Sequence, residues 1–366
     1  MNAAAAAASS HRPGRDGTPP AESTPAKLMI VDDSAVARSV LARMLAPFAD
    51  FEVVAAAASA EEAVGLLGTQ KVDVVLLDLD MPGSTGLEAL PAIIEKGAGA
   101  RILVVSSSTE SGSEAAVRAL ALGAADTLAK PGAQHSAGGF SAALAERLRR
   151  LVPGRAEPAK PAPPVPAQHF IPPAKIGCLA IGASTGGLHA ITRFLQGLPA
   201  RIGAPILITQ HLPSAFLPLF ARQVESACDR RVRVAHEGMI LRHDEIILAP
   251  GDRHLGLERH GSRVKARLSC EIAESGCTPS VDIMLDGVAQ AYGKAGVGIV
   301  LSGMGRDGLV GGRRLVEAGG HVLVQDQASS AVWGMPGVLA EAGIACRVDD
   351  PAALAREIRA WTRPLP

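Results

Sequence analysis

Aromatic residues are scarce in this chain: two Trp, one Tyr and seven Phe make up 3% of its 366 residues. With 39 Gly beside them, that scarcity points away from a β-sandwich and toward an α/β architecture. An excess of charge is missing too. Lys+Arg and Asp+Glu stand at 36 each, so neither net charge nor a basic stripe supports a nucleic-acid partner. Cysteine pairing is absent from the pattern: Cys178, Cys228, Cys270, Cys277 and Cys346 are odd in number and form no C-x-x-C, as expected of reduced thiols in a cytoplasmic protein. No apolar run approaches the ~20 residues of a membrane-spanning helix. The Ala3–Ala8 tract follows no basic segment and is too short for the core of a signal peptide.

What is present is enough for two domains: the length exceeds one typical domain, and 48% hydrophobic residues can fill two cores. Residues 1–26, rich in Ala, Ser, Pro and Gly, read as a disordered tail. From Lys27 short apolar runs alternate with helical periods. Strands are expected at Leu28–Val31, Phe51–Ala55, Val72–Leu77, Ile102–Val105 and Ala125–Ala129, with helices near Ala35–Leu45, Ala60–Leu67, Leu87–Ile94, Glu114–Leu122 and Phe140–Leu151. Five βα units make a doubly wound parallel sheet over residues 27–152. Eight prolines between Pro153 and Pro173 then make 153–175 a stiffened spacer. A second, mainly parallel α/β domain is expected over 176–350, before a C-terminal segment, 351–366. Its strands include Ile176–Ile181, Pro205–Thr209, Val232–Ala235, Glu245–Leu248, Val297–Leu301 and His321–Val324.

Functional groups of a parallel sheet gather at the carboxyl ends of its strands. In the first domain those ends carry Asp32 and Asp33, Asp78, Ser106, and Lys130 before Pro131. Three convergent carboxylates repel one another unless a divalent cation neutralises them, and Mg²⁺ suits such an all-oxygen site. Lys130 and Ser106 would then offer a cation and a hydroxyl to an incoming phosphoryl group. The plainer readings are helix capping by Asp32 or Asp33 and solvated turns at Asp78 and Lys130.

These residues stand in the register of a known family. Val31-Asp32-Asp33-Ser34, Leu77-Asp78-Leu79-Asp80-Met81-Pro82-Gly83, Ser106 and Lys130-Pro131 resemble a flavodoxin-like response-regulator receiver domain. The resemblance implies Asp78 as phospho-acceptor, Asp32, Asp33 and Asp78 as Mg²⁺ ligands, Ser106 and Lys130 as support, and a cis bond before Pro131. Thr127 stands three positions before the lysine, where receivers often carry an aromatic switch residue.

In the second domain the informative segment is Ile181-Gly182-Ala183-Ser184-Thr185-Gly186-Gly187, between an apolar strand and a helix-like stretch from Leu188 to Leu195. It satisfies G-x-S-x-G, the setting of a nucleophilic serine beside helix-terminal N–H groups. A phosphate-cradling loop and a simple tight turn are the alternatives, although the glycines have the wrong spacing for G-x-G-x-x-G. A serine needs a base, and the base an orienting acid. Of ten histidines, His211 closes the strand Pro205–Thr209 and would share the edge of Ser184. His236, His243, His254 and His260 fall in polar turns, His189 lies one turn into the helix after Ser184, and His321 opens a strand at the opposite edge. For the acid, Asp307 in the Gly-rich stretch 301–308 ranks ahead of Asp326, with Asp252 and Asp282 behind. The order Ser, His, Asp is not that of α/β-hydrolases, chymotrypsin or subtilisin.

Residues 176–350 resemble the catalytic domain of the chemotaxis protein-glutamate methylesterases (the CheB type). Besides the serine segment, the matching stretches are Gln210-His211-Leu212-Pro213, Ile247-Leu248-Ala249-Pro250-Gly251, Pro279-Ser280-Val281-Asp282, Ser302-Gly303-Met304-Gly305-Arg306-Asp307-Gly308 and Gly334-Met335-Pro336-Gly337. Cys277-Thr278 occupies a place where the family commonly has His-Arg. The resemblance implies Ser184 as nucleophile, His211 as base, Asp307 as its acid, and Thr185 and Met304 as oxyanion stabilisers. It further implies hydrolysis of methyl esters, and deamidation of glutamines, on chemoreceptors. A chemotaxis histidine kinase would be the phosphodonor, and the esterase reaction itself would need no cofactor. The unphosphorylated receiver is expected to cover the groove. Other outputs fit less well: a DNA-binding regulator lacks its basic helix-turn-helix, and a non-catalytic adaptor has no need of the three residues. A small-molecule esterase would require a deep pocket.

Overall fold

The computed structural model of the chain describes residues 24–81, 85–106, 110–130, 137–152, 172–212 and 214–362. In the first domain β1 (Ala26–Val31), β2 (Phe51–Ala57), β3 (Val74–Leu77), β4 (Arg101–Ser106) and β5 (Asp126–Ala129) alternate with α1 (Ala35–Leu45), α2 (Ala60–Leu67), α3 (Gly86–Lys96), α4 (Glu110–Leu122) and α5 (Ala137–Leu151). The strands pair in the order β2-β1-β3-β4-β5, all parallel. Residues Leu28–Val31 and Val74–Leu77 are buried throughout, as strands covered by helices on both faces require. Ser34 caps α1 by accepting from the Ala37 amide, so helix capping does not consume the side chains of Asp32 and Asp33.

The second domain has seven parallel strands. β6 (Cys178–Ala183), β7 (Ile206–Gln210), β8 (Val232–Val234), β9 (Ile246–Leu248), β12 (Gly296–Val300), β13 (His321–Gln325) and β14 (Arg347–Asp349) pair as β14-β13-β12-β6-β7-β9-β8. A separate antiparallel hairpin joins β10 (His254–His260) to β11 (Arg263–Ser269). The helices are α6 (Gly187–Gly197), α7 (Leu217–Ala227), α8 (Val281–Tyr292), α9 (Leu309–Glu317), α10 (Met335–Glu341) and α11 (Pro351–Trp361). Successive strands after β6 run one way across the sheet and those from β12 the other, so a topological switch point lies beside β6. A crevice at the strands' carboxyl ends opens there.

One apolar cluster spans both domains, taking in Val117 and Leu120 of α4 with Leu188 of α6 and Leu217 of α7. Polar contacts add to it: the Gly186 amide donates to the Ala125 carbonyl at 2.8 Å, and Arg101 Nη2 donates to the Ser330 carbonyl at 2.6 Å. His189, on α6, turns its Nδ1 to the Ala121 carbonyl at 3.1 Å and so faces the receiver-like domain. Among the described residues no helix is long and apolar enough to cross a membrane.

Some expectations need correction. The tail assigned to 1–26 stops short of Ala26, which opens β1 opposite Phe51. The strand expected at Ile176–Ile181 runs two residues later, through Ala183, and so delivers Ser184 directly from its end. His254 is no turn residue: it opens β10 and is fully buried. The segment after 350 forms α11, which packs on α6 and β13. The bond before Pro131, His11, His135, His169, most of the tail and residues 153–171 of the proline-rich spacer lie outside the described residues.

Candidate functional site

Three adjacent strands, β12, β6 and β7, deliver Asp307, Ser184 and His211 to one edge of the sheet. Ser184 leaves β6 with its amide donating to the Ser302 carbonyl at 3.0 Å, and its own carbonyl accepts from the Gly187 amide and from Gln210 Nε2. The turn then passes through Gly186 at φ +74°, a left-handed conformation that glycine adopts without strain. A Cβ on Gly186 would also lie 2.3 Å from that of Ala331. Gln210 thereby ties the serine turn to the strand that carries His211.

His211 follows β7, its amide donating to the Ala183 carbonyl at 3.1 Å. Its Nε2 lies 2.8 Å from Asp307 Oδ2, where the ring donates to the carboxylate and leaves Nδ1 to take a proton. Among the described residues Ser184 Oγ has no hydrogen-bond partner, and apo geometry of this kind does not count against a catalytic role. Asp307 is buried and saturated. Oδ1 accepts from Ser280 Oγ and the amides of Asp282 and Gly308, while Oδ2 also accepts from the Val281 amide. Its carboxylate thus sits at the N-terminus of α8, where amides and the helix dipole favour negative charge. Burial works against ionising Asp307, but His211 and the Val281 and Asp282 amides outweigh it and bring the carboxyl down to about 2. At His211 burial disfavours the charged ring, yet Asp307 and Cys277 together push the imidazole up to about 9.

Met304 follows Gly303, whose missing Cβ lets the loop touch Ser184: a Cβ there would lie 2.9 Å from Ser184 Cβ. Among the described residues the Met304 amide donates no hydrogen bond, which leaves it able to bind an oxyanion. Thr185 borders, with Ser184 and His211, a cavity of about 480 Å³ closed on its other side by Asp126, Thr127 and Arg147 of the first domain. Of the other acids, half-buried Asp326 is engaged by the Ser329 amide and hydroxyl. Asp282 Oδ1 accepts from the Gly311 amide; burial, with Asp307 close by, pushes its carboxyl up to about 6.

Sequence reasoning missed a supporting layer. His254 accepts from the Ser280 amide at Nδ1 and donates from Nε2 to the Glu271 carbonyl, which fixes the residue that holds Asp307. Gln325 Oε1 accepts from the Ser302 amide and steadies the loop before Met304. Gln210 stands in the Gln210-His211-Leu212-Pro213 stretch, where nothing about its own side chain signals a role. Only its place beside His211 could have signalled one.

At the carboxyl edge of the first sheet, the carboxylate oxygens of Asp32, Asp33 and Asp78 lie within 4.8 Å of one another. Lys130 Nζ bridges Asp32 Oδ2 at 3.0 Å and Asp78 Oδ2 at 2.7 Å. Burial pushes the Asp78 carboxyl up, and the contacts from Lys130 pull only part of the way back. Ser106 is buried at the end of β4, its carbonyl accepting from the Lys130 amide at 2.7 Å. A donor set of hard oxygens alone, beside a lysine, fits Mg²⁺.

Fold and site together define a class: a parallel α/β domain with Ser184, His211 and Asp307 at one sheet edge, joined to an acidic α/β domain that faces its crevice. The CheB methylesterase family model matches residues 179–358, and the response regulator receiver domain model matches residues 28–136. Protein-glutamate methylesterase/protein-glutamine glutaminase 1 of Paramagnetospirillum magneticum is 36% identical over 351 residues, covering 88% of this chain and 92% of that protein. Protein-glutamate methylesterase/protein-glutamine glutaminase 2 of Caulobacter vibrioides is 38% identical over 329 residues, covering 87% and 94%. The crystal structure of the Thermotoga maritima CheB methylesterase catalytic domain aligns with 51% of this chain and 98% of its own, at 30% identity and a TM-score of 0.49. The chain belongs to the CheB methylesterase family, in its receiver-linked form.

Proposed function

We propose that this chain removes methyl esters from glutamate side chains of chemoreceptors, and deamidates receptor glutamines, under control of phosphorylation at Asp78. The observation that carries the reading is the 2.8 Å His211–Asp307 contact on the strand edge that also carries Ser184. Ser184 Oγ attacks the γ-carbonyl carbon while His211 takes its proton. The oxygen that becomes negative is met by the Met304 amide and by Thr185. Collapse of the tetrahedral adduct expels methanol, which leaves with the proton from His211. Water, deprotonated by the same ring, then attacks the glutamyl-serine ester. Glutamate leaves, and Ser184 recovers its proton. Asp307 remains anionic throughout and holds the imidazole. With an amide substrate only the leaving group changes, from methanol to ammonia.

The face formed by Ala125–Thr127 and Arg147 supports a gating role, since it closes the cavity in front of Ser184. Mg²⁺ held by Asp32, Asp33 and Asp78 would neutralise the charge of an arriving phosphoryl group. Asp78 would accept that group from a histidine kinase, with Lys130 and Ser106 at its oxygens, and the altered pocket would release the cover.

The test is methanol release from methylated receptor cytoplasmic fragments, with and without Mg²⁺ and a small phosphodonor. Release should rise with phosphodonor in the wild type. In Ser184→Ala it should fall by roughly 10⁴–10⁶ while Asp78 is still phosphorylated, and Asp78→Asn should lose the stimulation. Near-normal release from Ser184→Ala would overturn the assignment of the nucleophile.

A further inference from the structure

His211, Cys277 and Asp307 come from three different loops, and each presents a metal-ligating atom. The ring nitrogen, the thiol sulfur and the carboxylate oxygen all lie within 4.8 Å of one another. Hydrolysis uses two of these groups and gives no part to the third. Cys277 is half-buried and held in place: its amide donates to Ser275 Oγ at 3.4 Å and its thiol to the Ser275 carbonyl at 3.8 Å. We propose that His211, Cys277 and Asp307 bind a zinc-type divalent cation, and that hydrolysis stops while the ion is there; the blocking half of this inference rests on the reading of His211 as the base.

The donor set selects the ion. A thiolate and an imidazole favour zinc over magnesium or calcium, whereas the Asp32, Asp33 and Asp78 pocket offers oxygen alone. One chain thus sorts two cations by the softness of its ligands. Zinc bonds of about 2.0–2.3 Å in a tetrahedron place donor atoms about 3.3–3.6 Å apart. The His211–Asp307 contact, at 2.8 Å, would open by about half an ångström, and the Cys277 sulfur would exchange its long bond to Ser275 for the ion. A surrounding layer is already built, since Ser280 Oγ and the amides of Val281, Asp282 and Gly308 orient the Asp307 carboxylate. Binding releases the thiol proton, and any on the ligating nitrogen, to solvent. Three protein ligands leave the fourth position to water, unlike the closed four-ligand set of a structural zinc. With the ion on Nε2 in place of the Asp307 contact, the neutral ring keeps its one proton on Nδ1, so no lone pair is left there to take the Ser184 proton.

The experiment uses the full chain, freed of metal by chelator and held in excess Mg²⁺ to fill the oxygen pocket. Cobalt(II), a coloured stand-in for zinc, is added to the wild type, Cys277→Ser and Cys270→Ser, and the cobalt–thiolate absorption is recorded. It should appear in the wild type and in Cys270→Ser and be lost in Cys277→Ser. In parallel, zinc should lower wild-type methanol release at least tenfold and chelator should restore it. Cys277→Ser should need at least tenfold more zinc for the same fractional loss, measured against its own zinc-free rate. No thiolate absorption in the wild type, or absorption that persists in Cys277→Ser, would overturn the site. Equal zinc sensitivity of wild type and Cys277→Ser would overturn the blocking role. The absorption does not depend on methanol release, so failure of the esterase reading would be distinguishable from failure of the metal site.

Discussion

The Gly186 amide, two residues past Ser184, donates a 2.8 Å hydrogen bond to the carbonyl of Ala125, at the threshold of β5 in the receiver domain. A strand that ends at the acidic pocket of Asp32, Asp33 and Asp78 therefore begins in contact with the serine turn. β5 runs from Asp126 to Ala129 and delivers Lys130 to Asp78. On the proposed gating, about 1.4 kcal/mol of differential stabilisation would change the open-to-closed ratio tenfold.

The apolar part of this contact gives the first prediction. Leu120 of α4 is buried in the cluster that joins the domains and borders the cavity at Ser184. Leu120→Lys would place an unpaired charge there, at a cost of several kcal/mol in the closed arrangement. Basal methanol release should rise at least tenfold and phosphodonor stimulation should shrink correspondingly. Retained phosphorylation of Asp78 would verify that the receiver domain is folded. An unchanged basal rate with a folded receiver would argue against gating by this face.

The second prediction concerns pH. Only a neutral imidazole can take the Ser184 proton, and the ring is held up to about 9. Methanol release should therefore climb from neutral pH toward about pH 9 rather than level off near 6.5. The linked stability runs the opposite way. A raised histidine pKa stabilises the fold fully below 6.5, and that contribution, about 3 kcal/mol, is lost as pH rises through about 9. On the acid side the lowered Asp307 carboxyl contributes above 3.8 and loses its effect as pH falls through about 2. An NMR titration of the His211 ring in wild type and Asp307→Asn checks both: the midpoint should fall in the variant. A wild-type midpoint at or below 6.5 would contradict the pairing.

A third prediction tests the close approach at Gly303. A methyl group there would stand 2.5 Å from Met335 Sδ, 2.9 Å from Ser184 Cβ and 3.1 Å from the Ser184 amide nitrogen. Sulfur can yield, but the serine turn cannot without moving the nucleophile and the Met304 amide apart. Gly303→Ala should lower kcat roughly 10²-fold, the scale of an ångström-sized misplacement. Phosphorylation of Asp78, which lies in the other domain, should continue at the wild-type rate. A wild-type kcat would remove the Met304 amide from the oxyanion site.

Much of this site could be read before the fold was known. Buried parallel strands are continuous apolar runs, and the chemistry-bearing residues stand at their ends, so β1, β3, β6 and β7 announced Asp32, Asp78, Ser184 and His211. The β10–β11 hairpin escaped because His254-Leu255-Gly256-Leu257-Glu258-Arg259-His260 mixes polar and apolar residues and lies apart from the main sheet. His254 looked like a turn histidine for the same reason. Its burial comes from the hairpin packing on α8, a contact with no local signature.

The sequence by itself determined two α/β domains, and it put the acids and lysine of the first and the serine and histidine of the second at strand ends. It could do so because backbone period and strand-end placement are local properties. Only the tertiary structure decided between Asp307 and Asp326, turned His189 toward the receiver, and set Cys277 beside His211. Those relations depend on which strands become neighbours and how far apart loops close. That is a matter of long-range packing, which brings His189 to 3.1 Å from the Ala121 carbonyl and His211 to 2.8 Å from Asp307.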